Sequence, residues 1–388
     1  MADADKEIII IGGGPVGCVA ALALEREGFY PIILEAQSRN DLAPEGRTLA
    51  LSWNSYLILN QLECWPKELE TYPIQKIDIS DKGNFGSASV RAEEIQVPSL
   101  GFAVRFRDLL DVLRSKVDAS SVRINYDSTA TSIQRLSDGV KVSVQSNGQS
   151  QQHDVRLVIM ADGGRSLDIA GLSLKKTIDR DHDAIVGLVT ASAPPTDIAY
   201  ERFTSSGPIA LLPRGNKYSF VWSVPRNSSD KLLHLSDDAF LKEFQTTFGR
   251  RCGQFQHVEA RMSYPLSTRI AEQPGEGGII SIGNASQALH PVAAQGLNLG
   301  LRDAWELGQF CAETSPELLP TSSFTKNFIK KRRVDRFTTT TLSTALDHLF
   351  SNKLFGLSGP LGLGLLGLDI ISPLKKRIFR KFIFGARG

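Results

Sequence analysis

The chain has 388 residues, 41% of them hydrophobic, with 44 Lys and Arg against 42 Asp and Glu. That is apolar mass enough for a large core and more length than one typical domain uses, so two lobes are expected. The near balance of charge gives no footing for nucleic acid as a partner. Asp3 and Asp5 and the early Gly12 argue against a signal peptide or spanning helix at the start. Cys18, Cys64, Cys252 and Cys311 are scattered without a CxxC, which predicts reduced, buried thiols in a cytosolic protein and no metal site.

In chain order, the first signal is Glu7-Ile-Ile-Ile-Ile-Gly-Gly-Gly-Pro-Val-Gly17, an apolar run of the buried parallel-strand kind entering Gly12-x-Gly14-x-x-Gly17. Pro15 falls where a first helical turn begins. A helix over Val16–Glu27 stops at Gly28, and a second strand, Tyr30–Leu34, ends in Glu35. This is a complete βαβ opening of the dinucleotide-binding type: Gly12, Gly13, Gly14 and Gly17 allow the turn, the approach of pyrophosphate and tight helix packing, and Glu35 suits a ribose hydroxyl. Further on, a helix is expected over Arg107–Lys116. The stretches Ser128–Gln145 and Gln152–Met160 alternate apolar and polar residues around Ser146-Asn-Gly148, a hairpin signal. Asp162-Gly163 closes a buried strand. Between about 175 and 270, the runs Ala184–Ala191, Ile209–Pro213 and Tyr218–Val224 predict a mostly antiparallel sheet, interrupted by a helix at Ser236–Phe248. Ile279–Gly283 is a strand, and a glycine- and alanine-rich turn then leads to a helix start at Gln295–Asn298, whose unpaired N–H groups favour negative charge.

Gly12-Gly-Gly-Pro-Val-Gly17, Val158-Ile-Met-Ala-Asp-Gly163, Gly283-Asn-Ala-x-Gln-x-Leu-His-Pro291 and Gln295-Gly-x-Asn-Leu-Gly-x-Arg-Asp303 together resemble the class A flavoprotein aromatic hydroxylases. Glu45-Gly-Arg-Thr-Leu-Ala-Leu51, Ile79-Ser-Asp-Lys-Gly83, Glu201-Arg-Phe-Thr-x-x-Gly-Pro-Ile-Ala-Leu-Leu-Pro213 and Ser263-Tyr-Pro-Leu266 extend the likeness to the ubiquinone-biosynthesis branch, nearest to hydroxylases of 2-polyprenyl-6-methoxyphenol. The likeness covers nearly the whole chain. It implies an α/β fold in which a Rossmann-like FAD-binding lobe (1–75, 100–174, 273–320) is interleaved with a mostly antiparallel substrate lobe (76–99, 175–272) and followed by a helical C-terminal region (321–388). It also implies FAD as cofactor, NAD(P)H as electron donor, and insertion of one atom of O2 into a phenolic ring through a flavin C4a-hydroperoxide.

The same resemblance assigns residues. Gly12, Gly13, Gly14, Pro15, Val16, Gly17 and Glu35 would hold the adenosine and pyrophosphate; Arg47 and Arg107 would face the flavin or its phosphates, as suits a guanidinium. Asp162, Gly163 and Asn284 would serve the ribityl and pyrophosphate region, with the amide of Asn284 replacing the carboxylate that many relatives have. Gln295, Gly296, Leu297 and Asn298 would meet the isoalloxazine. His290, Pro291 and Gln295 are the candidates for shaping the reaction pocket, and Tyr218 and Tyr264 for bonding the phenol. Two positions depart from the family: Ala294 stands where Gly is usual, at a cost on the order of 1 kcal/mol if the position needs a positive φ, and Ile169 stands where many hydroxylases carry a basic residue.

The tail bears on partners. Leu354–Leu368 lacks charge but holds five glycines and Pro360, and Lys375, Lys376, Arg377, Arg380, Lys381 and Arg387 follow it with no acid after Asp369. Too short and glycine-rich for a span, it suits peripheral attachment to anionic lipid, which agrees with a cytoplasmic protein on the inner membrane acting on a bilayer-resident polyprenylphenol. A helix packed on the protein with a solvated basic end is the alternative. Assembly with other ubiquinone-biosynthesis proteins is implied by the resemblance. Other readings stay open: a sister hydroxylase of different regiospecificity, an FAD reductase without oxygen insertion, or a non-catalytic flavin-binding assembly protein. The choice of NADH or NADPH, the polyprenyl length and the oligomeric state are not legible in the residues.

Overall fold

The computed structural model describes residues 7–41, 47–82, 87–193, 197–288, 295–351 and 372–385. The chain opens with β1 (Glu7–Ile11), α1 (Pro15–Arg26), β2 (Tyr30–Leu34), β3 (Thr48–Ser52), α2 (Trp53–Gln61) and β4 (Thr71–Ile74), then β5 (Lys76–Asp81), β6 (Ser87–Arg91), β7 (Gly101–Arg105), α3 (Phe106–Asp118) and β8 (Arg123–Asn125). A meander follows in β9 (Ser128–Arg135), β10 (Val140–Ser146) and β11 (Gln149–Val155), then β12 (Leu157–Met160), β13 (Leu174–Ala191), β14 (Ile198–Phe203), β15 (Ile209–Arg214) and β16 (Lys217–Pro225). Next come α4 (Arg226–Leu233), α5 (Asp237–Phe248), β17 (Phe255–Ala271), β18 (Gly275–Glu276), β19 (Ile279–Ser281) and β20 (Gln287–Ala288), and last α6 (Gln295–Ala312), α7 (Ser322–Ser351) and α8 (Ser372–Phe384).

Among the described residues, β18-β19-β12-β1-β2-β8 form one sheet, parallel except for β18. Both of its faces are covered, which is why Ile8, Ile9 and Ile10 are all fully buried and the strand reads as an unbroken apolar run. Helix α1 lies under this sheet and against α6, so its buried residues run right round it. It ends at Gly28, where φ is +82°. The helix expected over Val16–Glu27 is thus found one residue earlier at each end, and that over Arg107–Lys116 extends at both ends.

The hairpin signal at Ser146-Asn-Gly148 is right, with Asn147 and Gly148 both at positive φ as a type I′ turn requires. The stretches around it divide further than the alternation showed. Ser128–Gln145 is two antiparallel strands, β9 and β10, folded back near Gly139, and Gln152–Met160 breaks at Arg156 so that β12 joins the parallel sheet instead of the meander.

The second large sheet runs β20-β17-β13-β16-β15-β14-β5-β6 and is antiparallel apart from the β14–β5 pair. One face is closed by α5, capped at Ser236, whose side chain accepts from the Ala239 amide. Phe240, Phe244 and Phe248 recur along that helix and pack on Ile185, Ile209, Leu211, Phe220 and Trp222, all buried. The other face meets β3, α2 and α8: Ile77, Ile79, Ala199 and Leu212 pack with Ala50, Trp53, Phe379 and Ile383. Strand β17 was not anticipated, because its residues are mostly half-buried and its pairing with β13 shifts register several times.

Candidate functional site

Three turns and one helix start converge at the carboxyl ends of β1, β12 and β19. In the first turn, Gly12 (φ +107°) has no room for a side chain, since a Cβ there would lie 2.7 Å from Asp162 Cα. A Cβ at Gly17 would lie 1.9 Å from the Gly12 carbonyl oxygen, so α1 is seated directly on its own turn. Gly14 meets nothing within 4 Å, and that side of the turn is open to a ligand. Pro15 is the buried first residue of α1, and Val16 touches Gly283 and Gly300. The Gly13 amide donates to Glu35 Oε2 at 2.6 Å, and the Gln37 amide to Glu35 Oε1 at 2.9 Å. Glu35 therefore braces the turn from the end of β2.

The second turn follows β12. Asp162 Oδ1 accepts from the Gly164 amide at 2.9 Å, while Oδ2 is buried with no partner among the described residues. Gly163 and Gly164 take φ of +77° and +87°, and Gly164 packs beside Ala285 in the third turn, Gly283–Ala285. There Asn284 is exposed, with its Oδ1 3.5 Å from where a Gly296 Cβ would stand. Gln295, Gly296, Leu297 and Asn298 are the first four residues of α6, whose N–H groups have no partner within the helix.

Asn298 plays a part that the motif did not show. Its Oδ1 accepts from the Ser52 amide at 2.8 Å and from Ser55 Oγ at 2.7 Å, and its Nδ2 donates to the Ala50 carbonyl at 3.0 Å. The side chain ties the start of α6 to β3 and α2. Arg47 and Arg107 come together at one end of the β3–β7 pair. The Phe106 amide donates to the Arg47 carbonyl at 2.9 Å, and the Arg47 guanidinium sits 5.2 Å from the Phe106 ring centre. Tyr264 on β17 lies within electrostatic reach of Arg47.

Tyr218 is a correction. It is buried in the core that α5 covers, edge-on to Tyr200 at 6.1 Å, and its hydroxyl is engaged by Tyr200 and Cys252. Burial pushes its pKa well above the usual phenol range, so the hydroxyl stays protonated. It packs on the closed face of the sheet and is withdrawn as a substrate contact. The four cysteines are all buried and unpaired, and burial raises the thiol of Cys18 to about 12. His290, Pro291 and Ala294 lie outside the described residues.

These groups suit a flavin dinucleotide. The orphaned Asp162 oxygen is an acceptor in want of a hydroxyl donor, the open flank of Gly14 at the start of α1 suits a phosphate, and the start of α6 suits a ring that carries negative charge when reduced. A Rossmann-type sheet with this cradle, joined to a second sheet with a largely apolar face, defines a flavoprotein. A model of the FAD binding domain family matches residues 5–319, and the chain belongs to that family. It is an FAD-dependent aromatic-ring hydroxylase of the class A type. Ubiquinone hydroxylase UbiL of Rhodospirillum rubrum is 29% identical, the match covering 99% of this chain and 90% of that protein. The 3-demethoxyubiquinol 3-hydroxylase of Escherichia coli is 26% identical over 98% of this chain and 99% of its own. Among solved structures, p-nitrophenol 4-monooxygenase PnpA from Pseudomonas putida matches with a TM-score of 0.76 at 16% identity, covering 98% of both chains.

Proposed function

We propose that the protein hydroxylates the ring of a polyprenylated phenol, 2-polyprenyl-6-methoxyphenol, in ubiquinone biosynthesis, using NAD(P)H and O2. The observation that carries this is the face of the second sheet away from α5. Leu188, Ala210, Val221 and Met262 are half-buried there, beside the part of the face that β3, α2 and α8 cover, whereas Ile185, Val189, Ile209, Leu211, Phe220 and Trp222 on the α5 side are fully buried. Half-exposed aliphatic groups in adjoining strands make a surface for an apolar ring and chain. When bound, FAD supplies the activation of O2 and the transfer of one oxygen atom to the ring. The protein's part is to place the ring and keep water away from it. In this reading Asp162 accepts from a ribityl hydroxyl, the N–H groups of Gln295 to Asn298 face the flavin ring, and Arg47, Arg107 and Asn284 stand along the phosphates and ribityl chain.

The Escherichia coli relative supports a second reading in which the ring attacked is that of a demethoxyubiquinol. Expressing this protein in strains that each lack one ring hydroxylase, then identifying the quinone species by mass spectrometry under labelled O2, separates the two. Rescue only of the strain blocked at 2-polyprenyl-6-methoxyphenol, with one labelled oxygen in the ring, is expected. Rescue of a different strain selects the second reading, and unlabelled product sinks both.

We further propose that α8 rests on an anionic membrane surface, where the protein meets the other enzymes of the pathway. Phe379 and Ile383 face inward onto Ile74, Val90 and Ile95, Lys375 pairs with Glu94 at 2.7 Å, and Lys376 and Arg377 are exposed. No helix among the described residues is long and apolar enough to cross a membrane, and Leu354–Leu368 lies outside them. Each basic residue at an anionic surface contributes about 1 kcal/mol. Lys376→Glu with Arg377→Glu should therefore weaken sedimentation with phosphatidylglycerol vesicles by at least about tenfold, and unchanged sedimentation refutes the docking.

A further inference from the structure

The second sheet carries a charge where its pattern calls for an aliphatic residue. On β14, Ala199, Glu201 and Phe203 share one face, and strand pairing sets Glu201 in a row that reads Ala88, Ile79, Glu201, Ala210, Val221, Val186, Met262 across the sheet. Glu201 is the one charged member of that row. Its face is the half-exposed apolar one. Ala199 and Ile79 beside it pack with Ala50, and the Ala50 carbonyl accepts from Asn298 in the first turn of α6. Glu201 thus shares its face with the residues that meet β3, the strand tied to the start of α6. It is largely enclosed by protein yet retains intermediate accessibility.

We propose that Glu201 is the base that takes the proton from the phenol during hydroxylation, an inference that rests on the phenolic substrate read above. The phenol O–H bond breaks, the proton moves to a Glu201 oxygen, and the electron pair stays on the phenolate oxygen, from which it enriches the ring carbon that receives oxygen. When the hydroxylated ring recovers aromaticity, its C–H proton passes to water and the bonding pair returns to the ring, leaving a phenolate oxygen that takes back the proton held by Glu201, and the carboxylate is restored. Burial alone pushes the Glu201 carboxyl up to about 8, which brings its basicity toward that of a phenol. The charged groups that share its face are Asp81, two residues along β5, Arg214 at the far end of β15, the Lys217–Glu259 pair on β16 and β17, and the Lys375–Glu94 pair at α8. None of them contributes to the shift.

The test uses FAD-loaded enzyme with a short-chain 2-prenyl-6-methoxyphenol. Wild-type kcat/KM for hydroxylation is expected to fall about tenfold per pH unit below about 8. Glu201→Gln, which keeps the shape, should be flat through that range, on the order of 100-fold slower at pH 9, and faster toward pH 10 as the phenol ionises unaided. Glu201→Asp should restore a pH-dependent limb. A Gln variant with the wild-type profile overturns the proposal. So does an infrared titration of the wild-type holoenzyme that shows no carboxyl signal ionising near pH 8 and missing from the Gln variant; this measurement needs no turnover, and so stands even if the wild type hydroxylates no phenol and the substrate reading fails.

Discussion

Gly17→Ala is expected to give a protein with less than one-tenth of its FAD. The new methyl would stand 1.9 Å from the Gly12 carbonyl oxygen and 3.1 Å from its carbon. Backbone cannot rotate aside as a side chain can, so α1 must lift from the turn by about 1 Å or more. Helix α1 is fixed on two further sides: its Ala23 meets Gly308 of α6, and Val16 meets Gly283 and Gly300. Overpacking of this kind costs about 1–3 kcal/mol. Because the lift occurs at the turn that receives the pyrophosphate, it should appear as up to about 100-fold in FAD affinity. Gly14→Ala separates the two effects. A Cβ there meets no protein atom within 4 Å, so the apoprotein should melt normally while FAD, needing that space, binds less well. Flavin absorbance per protein and apoprotein melting read both; a fully yellow Gly17→Ala protein would show that the turn is not where the cofactor sits.

The glycine turn was legible because its constraints are local. An apolar run buried on both faces, a helix-starting Pro15 and glycines at fixed offsets all lie within Glu7–Gly17 and act on one another. The start of α6 was legible for the same reason. What escaped was set by partners distant in sequence. The side chain of Asn298 reads as a ligand in its motif, but Ser52, Ser55 and Ala50, more than 240 residues away, use all of it. Tyr218 and Glu201 each carry a polar group in an alternating strand, and alternation tells that they face opposite sides of the sheet without telling which side α5 closes. Only the packing of Phe240, Phe244 and Phe248 decides it. Had that been known, the half-buried Ala210 and Val221 in its row would have marked Glu201 as a residue on the face away from α5.

The largest effect on stability is expected from Asp303→Asn. Behind the Gly283 turn lies a buried network in which Arg332 bonds Asp303 at 2.7 Å, Glu306 at 2.5 Å and Asp335 at 2.6 Å, Arg302 bonds Asp335 at 2.9 Å, and Arg336 bonds Asp303 at 3.2 Å. Three guanidinium groups thus face three carboxylates. Asp303 is fully buried and its Oδ2 also accepts from the Gly283 amide at 3.4 Å. Asparagine preserves the volume and an acceptor for Gly283 but leaves one buried positive charge without its counterpart, which costs about 3–5 kcal/mol and should lower the melting temperature on the order of 10 °C. Burial pushes the Asp303 carboxyl up, but Arg336 and Arg332 more than reverse this and hold it below the ordinary range. Its stabilisation is therefore complete above the unfolded value of about 3.9 and is lost only as pH falls through the lower folded value. The gap between wild type and variant should stay constant from about pH 9 to 5 and close in strong acid. Adding Arg336→Met to Asp303→Asn removes the stranded cation and should recover part of the loss, the sign of direct coupling. If the double variant is no more stable than the single one, the cost does not arise from the unpaired charge, and the network would not be what holds α7 against the flavin cradle.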